Sequence, residues 1–324
     1  MQQVDWTLEW EIIIVNNNSN DNTKHAALTE WVKYQRLDVR FQVVDESKPG
    51  LRFAREKGIE VSLFDYIIFC DDDNWLLKNY VNDSFHAIHS DPQLGIIGGV
   101  GIAKTEIDPP EWFQQFSGYY AIGPQNVVEE PTPSGDIYVY GAGAVVRKSI
   151  FGEIKAKSIE FIAVGRTAHK LSSGEDVELC YLAQLLAYKI GYNENLKFYH
   201  FIEKNRLNLT YIRNLAFQFG YCNTLHRPYY WLFNRSIADY KKTWVWVLLV
   251  SLHIYLVTLI RKNFKKKSDH ILNQINLAHA SGRISAVIKL NFRIDGAYGV
   301  IKNKFKERAF RADNTLIQTS QNDD

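Results

Sequence analysis

Tyr66-Ile67-Ile68-Phe69, an apolar run, stops abruptly at three consecutive carboxylates, Asp71-Asp72-Asp73. An apolar run of this length bounded by polar residues reads as a strand buried on both faces, and its end is where a loop reaches the surface. Three adjacent acids repel one another, and a hard divalent cation that also binds phosphate oxygens would remove that cost. The carboxyl end of a strand in an open α/β sheet is also where a ligand crevice is expected. The competing reading is a solvated turn that caps the next helix, a position Asp and Asn favour. The triplet by itself leaves both readings open.

The surrounding chain alternates. Trp10-Glu11-Ile12-Ile13-Ile14-Val15 reads as a buried strand, followed by a turn rich in Asn, Asp and Ser over Asn16 to Thr23. A helix is expected from Thr23 to about Tyr34, a strand over Phe41–Val44, a loop at Lys48-Pro49-Gly50, and a helix from Leu51 to about Leu63 carrying Arg52 and Arg55. Strand, helix, strand, helix, strand is the order of a parallel α/β sheet. Beyond the acids, the pattern predicts a helix over Leu76–Ser90, a glycine-rich strand over Leu94–Val100 and a long ordered insertion over 105–135. Ile137–Arg147 reads as a strand interrupted by Gly141 and Gly143, either where backbone must approach a ligand or where a bulge packs on a helix. Gly174-Glu175-Asp176-Val177-Glu178 then leads into an apolar helix over Leu179–Ile190, closed by Gly191. Acids there complement a helix dipole or supply a general base, and the residues alone leave both open. Leu196–Phe201 reads as a strand that delivers His200, with Arg206 shortly after.

The 324 residues, 46% hydrophobic and 23% charged, suffice for one large or two modest domains. Cys70, Cys180 and Cys222 show neither a disulfide framework nor zinc spacing, which points to a reducing compartment. Met1-Gln2-Gln3-Val4-Asp5 lacks the basic start and apolar core of a secretory signal. The net charge of +2 hides a net +9 over residues 261–313 against −7 elsewhere, so the basic tail is expected to meet an anionic surface. Just before it, Trp244–Ile260 is a 17-residue apolar stretch with Lys241-Lys242 ahead of it and Arg261-Lys262 behind. As a helix it spans roughly 25 Å, short of a ~30 Å hydrocarbon core. A crossing would also put the most basic segment on the wrong side of the membrane for a cytosolic body. A helix lying in the membrane interface is therefore expected, with a single span and a buried core helix as the alternatives.

Together these motifs resemble the family 2 glycosyltransferases, over roughly residues 8–220. Asp71-Asp72-Asp73 occupies the aspartate-x-aspartate position, Gly141-Ala142-Gly143 looks like the glycine-rich loop, Gly174-Glu175-Asp176 resembles the x-Glu-Asp motif, and His200 sits where the family often supplies a histidine to the metal. Asn16–Thr23 and Pro49–Gly58 are softer matches. The resemblance implies a GT-A, Rossmann-like α/β fold with a mostly parallel sheet flanked by helices and a C-terminal helical membrane-associated extension. The expected divisions are a GT-A domain over 1–235, a helical, hydrophobic and basic region over 236–313, and a disordered tail over 314–324.

The implied reaction is inverting transfer of a sugar from a nucleotide diphosphate-sugar to a hydroxyl of a lipid-linked or cell-surface glycan, on the cytoplasmic side of the cell membrane. The resemblance implies a divalent metal (Mn²⁺ or Mg²⁺) held by Asp73 and His200, and donor contacts from Asn16, Asn17, Arg52, Arg55, Asp71, Asp72 and Gly143. It makes Asp176 the base, Glu175 the residue that orients the acceptor, and Trp112 an aromatic face for the acceptor. An anionic membrane surface is an expected partner and nucleic acid is not. Two features depart from the family: the chain starts just before the Trp10 strand, as if some 30 residues including a first strand were missing, and Asn16 stands where Asp is common. A catalytically degenerate partner protein and a nucleotidyltransferase are the rival readings.

Overall fold

A computed structural model describes residues 2–5, 7–34, 36, 38–125, 137–163, 174–234, 236–262 and 270–305, and for 261–262 the backbone alone. Part of the 105–135 insertion and the whole 314–324 tail lie outside the described residues.

The first two expected strands form a parallel pair, β1 (Glu11–Asn17) and β2 (Arg40–Glu46), in register from Glu11 opposite Arg40 to Asn17 opposite Glu46. Helix α1 (Thr23–Val32) joins them, and α2 (Leu51–Val61) follows. A second sheet holds β3 (Tyr66–Ile68), β4 (Asn74–Leu76), β5 (Leu94–Thr105), β6 (Val145–Arg147) and β7 (Lys189–Ile202), in the order β3-β6-β5-β7-β4. Its longest pairing, β5 with β7, is parallel; its other pairings are antiparallel. Among the described residues β1 pairs with β2 alone and β3 with β6 alone, and a cleft of about 1980 Å³ opens between and above these edges. The Ile and Val side chains of β1 are in consequence only half-buried.

Three local expectations shift. The helix expected from Leu76 begins only at Tyr80 as α3 (Tyr80–His89), because Asn74–Leu76 pairs with β7 as β4. Ile137–Arg147 contributes only the short β6, since the Gly141–Gly143 backbone turns aside: the Gly143 N–H donates to the Phe69 carbonyl and its φ is +69°. The helix after the second acid motif, α5 (Glu175–Leu185), ends five residues early, and Lys189-Ile190-Gly191 joins β7 beside β5. An apolar run has the same composition in a buried helix as in a buried strand.

Helices α4 (Ser149–Ala156), α6 (Leu209–Leu225), α7 (Arg227–Phe233), α8 (Trp244–Lys262), α9 (His270–Leu290) and α10 (Arg293–Lys304) complete the molecule. Helix α9 lies against α6 so closely that a Cβ on Gly220 would meet the His279 carbonyl, and one on Gly282 the Phe217 carbonyl. Helix α10 packs back on the core under the second sheet. Ile301 and Phe305 enter the same core as Ile150, Leu182 and Tyr229, and Lys304 donates to the Lys157 carbonyl. Helices α8, α9 and α10 are thus packed into the body.

Candidate active site

The acid triplet turns the chain from β3 into β4 at one wall of the cleft. Antiparallel pairing sets Asn74 opposite His200, and the Phe201 N–H donates to the Asp73 carbonyl, so the register of two strands brings Asp73 and His200 together. His200 Nε2 lies 3.4 Å from Asp73 Oδ2. Its Nδ1 is 2.7 Å from the Tyr120 carbonyl, which can only accept, so Nδ1 carries the proton. Nε2 faces the Asp73 carboxylate and donates to it when it carries a proton; without that proton the two groups would be disposed as ligands of one cation. Among the described residues no group of three or more His, Cys, Asp and Glu side chains forms a metal cage. These two would therefore fit a metal whose other ligands come from water and a bound diphosphate.

Arg206 meets the same carboxylate oxygen, Nη1 to Oδ2 at 2.8 Å. Its backbone carbonyl accepts from the Tyr120 hydroxyl, so Tyr120 holds both His200 and the Arg206 turn in place. Partial burial works to raise the Asp73 carboxyl, but hydrogen bonds and charge from His200 and Arg206 outweigh it and hold it down at about 2. Arg206 had no role in the sequence reading; it is 133 residues from Asp73, and only the β4–β7 register reveals the pair.

The opposite wall is the start of α5. Asp176 Oδ2 accepts from the Gly141 N–H at 2.9 Å and Oδ1 from the Val177 N–H at 2.9 Å, so the glycine loop orients the carboxylate. A side chain at Gly141 would meet the Arg55 guanidinium, 2.8 Å from its Cβ position, and Asp176, 3.2 Å away. Arg55 stacks on Phe69 at 4.7 Å and reaches Asp71 at 3.6 Å, bridging the two walls. Burial pushes the Glu175 carboxyl up to about 7, with Arg55 pulling it partly back, and Glu175 Oε1 has no hydrogen-bond partner.

The remaining expected site residues divide. Asp72 and Asn17 line the cleft. Asn17 is engaged in scaffolding: it accepts from the Gly50 N–H at 2.7 Å and donates to the Lys48 carbonyl at 2.6 Å, fixing the approach to α2. Asn16 donates to Asp45, Arg52 pairs with Glu56 and lies over Phe161, and Trp112 packs beside Phe116; none of the three side chains lines the cleft. Gly143 stands behind the wall, its carbonyl accepting from the buried Tyr80 hydroxyl at 2.6 Å.

Residues 2–155 match the family described as Glycosyl transferase family 2. Two curated relatives align. Putative glycosyltransferase EpsH of Bacillus subtilis (strain 168) is 23% identical over 232 residues, 72% of this chain and 63% of that protein. Poly(ribitol-phosphate) beta-N-acetylglucosaminyltransferase TarP of Staphylococcus aureus (strain N315) is 28% identical over 102 residues, 32% of this chain and 30% of that protein. The alignments thus span less than two thirds of either relative. Among solved structures, the mannosyltransferase PcManGT from Pyrobaculum calidifontis in complex with GDP-Man and Mn²⁺ superposes with a TM-score of 0.48 at 12% identity, over 87% of this chain and 89% of that one.

Proposed function

We propose that this protein, whose residues 2–155 match the family 2 glycosyltransferases, transfers a sugar from a nucleotide diphosphate donor to a hydroxyl of a lipid-linked or cell-surface glycan, with inversion at the anomeric carbon. The supporting observation is the two-walled cleft, with Asp73, His200 and Arg206 on one wall and Glu175, Asp176 and Arg55 on the other.

The acceptor oxygen forms a bond to the anomeric carbon as the bond from that carbon to the diphosphate breaks. Negative charge grows on the departing diphosphate, and the acceptor proton must leave. The Arg206 guanidinium is placed to attract that diphosphate, and Arg55 to hold the nucleotide side of the donor near Asp71. A divalent ion held by Asp73 and His200 would supply Lewis-acid neutralisation of the leaving group. Asp176, fixed by the Gly141 and Val177 N–H groups, takes the acceptor proton. Glu175 orients the acceptor. Its unpartnered Oε1 and raised pKa also make it the second candidate for the base.

The test is release of nucleotide diphosphate from UDP-, GDP-, dTDP- and CDP-linked sugars in the presence of a lipid-linked glycan extract. One donor class turns over, and Asp176→Asn, which cannot take a proton, lowers the rate by ~10²-fold or more while donor binding survives. Full turnover by Asp176→Asn would move the base to Glu175, and no turnover of any donor would count against the transferase reading.

A further inference from the structure

We infer that the outward face of α8 docks flat on the surface of an anionic lipid bilayer. This goes beyond the proposed reaction and does not depend on it. On α8, Val245, Trp246, Leu249, Leu252, Leu256, Leu259 and Ile260 are all exposed, Leu249 at 55% and Ile260 at 57%. At 100° per residue these positions fall on one stripe, in which His253 is the only polar side chain. The opposite face is packed away: Val247 sits in a core with Trp231, Val287 and Ile294, and Ser251 is fully buried. From Val245 to Ile260 the stripe runs roughly 22 Å. A continuous apolar strip of this length is uncommon on a free surface and marks a docking site.

Charge and aromatic placement select lipid as the occupant. At the start of α8, Tyr240 and Trp246 meet edge to face at 5.6 Å, with the Lys241 ammonium 5.5 and 5.6 Å from the two rings. Rings with one apolar and one wet side, beside lysine, suit the headgroup layer. The turn from α9 to α10 adds exposed Ile288 and Phe292 beside exposed Lys289 and Arg293, and Asp295 of α10 accepts from the Trp244 N–H at 2.8 Å, tying this turn to the same end of α8. The sequence beyond the stripe is Arg261-Lys262. An apolar strip between basic ends fits an anionic interface, entered to a depth of about 5–10 Å. Because one face of α8 is covered by protein, lipid cannot surround it, and among the described residues no helix is long and apolar enough to cross a membrane.

The test is co-sedimentation of the full chain with vesicles of phosphatidylcholine alone or with about 30% phosphatidylglycerol. The chain should bind the anionic vesicles, and binding should fall at least about tenfold on neutral vesicles or in about 0.5 M salt. Leu249→Glu with Leu256→Glu should lower partitioning at least about tenfold with an unchanged melting curve, and Leu249→Gln with Leu256→Gln should do so without added charge. Failure to bind either vesicle would overturn the inference, as would undiminished binding by both variants. A lipid-free dimer that the same variants dissociate would assign the face to a second copy of the chain instead.

Discussion

On the proposed reading, a metal at Asp73 would compete with Arg206 for the carboxylate. Arg206 takes the carboxylate oxygen that a metal would need, and His200 waits 3.4 Å from it. Arg206→Gln removes the competitor, so Mn²⁺ should bind the nucleotide-free chain about three- to tenfold more tightly, read by calorimetry or by loss of the free Mn²⁺ paramagnetic signal. Glu175 and Asp176 separate by pH. If Glu175 were the base, the rate would fall as pH drops below about 7, because burial places its carboxyl there, and Glu175→Gln would abolish turnover. With Asp176 as base, the profile carries no limb set by Glu175 acting as base, and Glu175→Gln keeps turnover. Motif spacing singled out Asp73, His200 and Asp176, and all three line the cleft. Spacing does not reveal that Asn16, Arg52 and Trp112 are absent from the cleft lining, since a side chain's partner is set by its neighbours in space: Asp45, Glu56 and Phe116.

The elements hold the second wall through one buried carboxylate. Glu178, one turn into α5, accepts from the Ile162 and Ala163 N–H groups at 2.7 Å each and from the Tyr229 hydroxyl at 2.6 Å, joining α5, α7 and the segment after α4. Tyr229→Phe should cost about 1–2 kcal/mol in urea unfolding, since it leaves a buried carboxylate oxygen short of a donor. Gly143→Ala should cost about 1–3 kcal/mol, because φ is +69° and its Cβ would lie 2.6 Å from the Tyr80 hydroxyl. The elements most legible in the sequence were those with local signals: β1, α1, β2, α2 and β3, each an apolar run or amphipathic stretch between turn residues. The end of α5 and the extent of β6 were hidden because both are decided by pairing with β5, far away in sequence.

At the scale of the molecule, buried ionisable groups tie stability to pH. Burial raises Glu175 to about 7 and, against its three hydrogen bonds, Glu178 to about 7; burial lowers His226 to about 4. Between the ordinary carboxylate pKa and 7, the folded state holds more protons on the two glutamates, so stability falls as pH rises. Across 4 to 6.5, His226 works the other way, because the unfolded chain takes its proton first. Each net proton is worth about 1.4 kcal/mol per pH unit. His279, lowered by burial and by Arg283, adds to the histidine side, but that side is spent by 6.5 while the glutamate window runs on to about 7, so the urea midpoint should be higher at pH 5.5 than at 7.5, and Glu175→Gln should shrink that difference. The C-terminal helices share this core through Ile301 and Phe305.

The cleft is proposed to bind a nucleotide diphosphate through Asp73 and a divalent ion, which calorimetric titration of UDP, GDP, dTDP and CDP into the full chain, with and without Mn²⁺ and beside Asp73→Ala, reads directly. One nucleotide should bind, it should need Mn²⁺, and Asp73→Ala should lose it. A folded protein that binds none of the four, or binds one equally well without Mn²⁺ and without the Asp73 carboxylate, would contradict it.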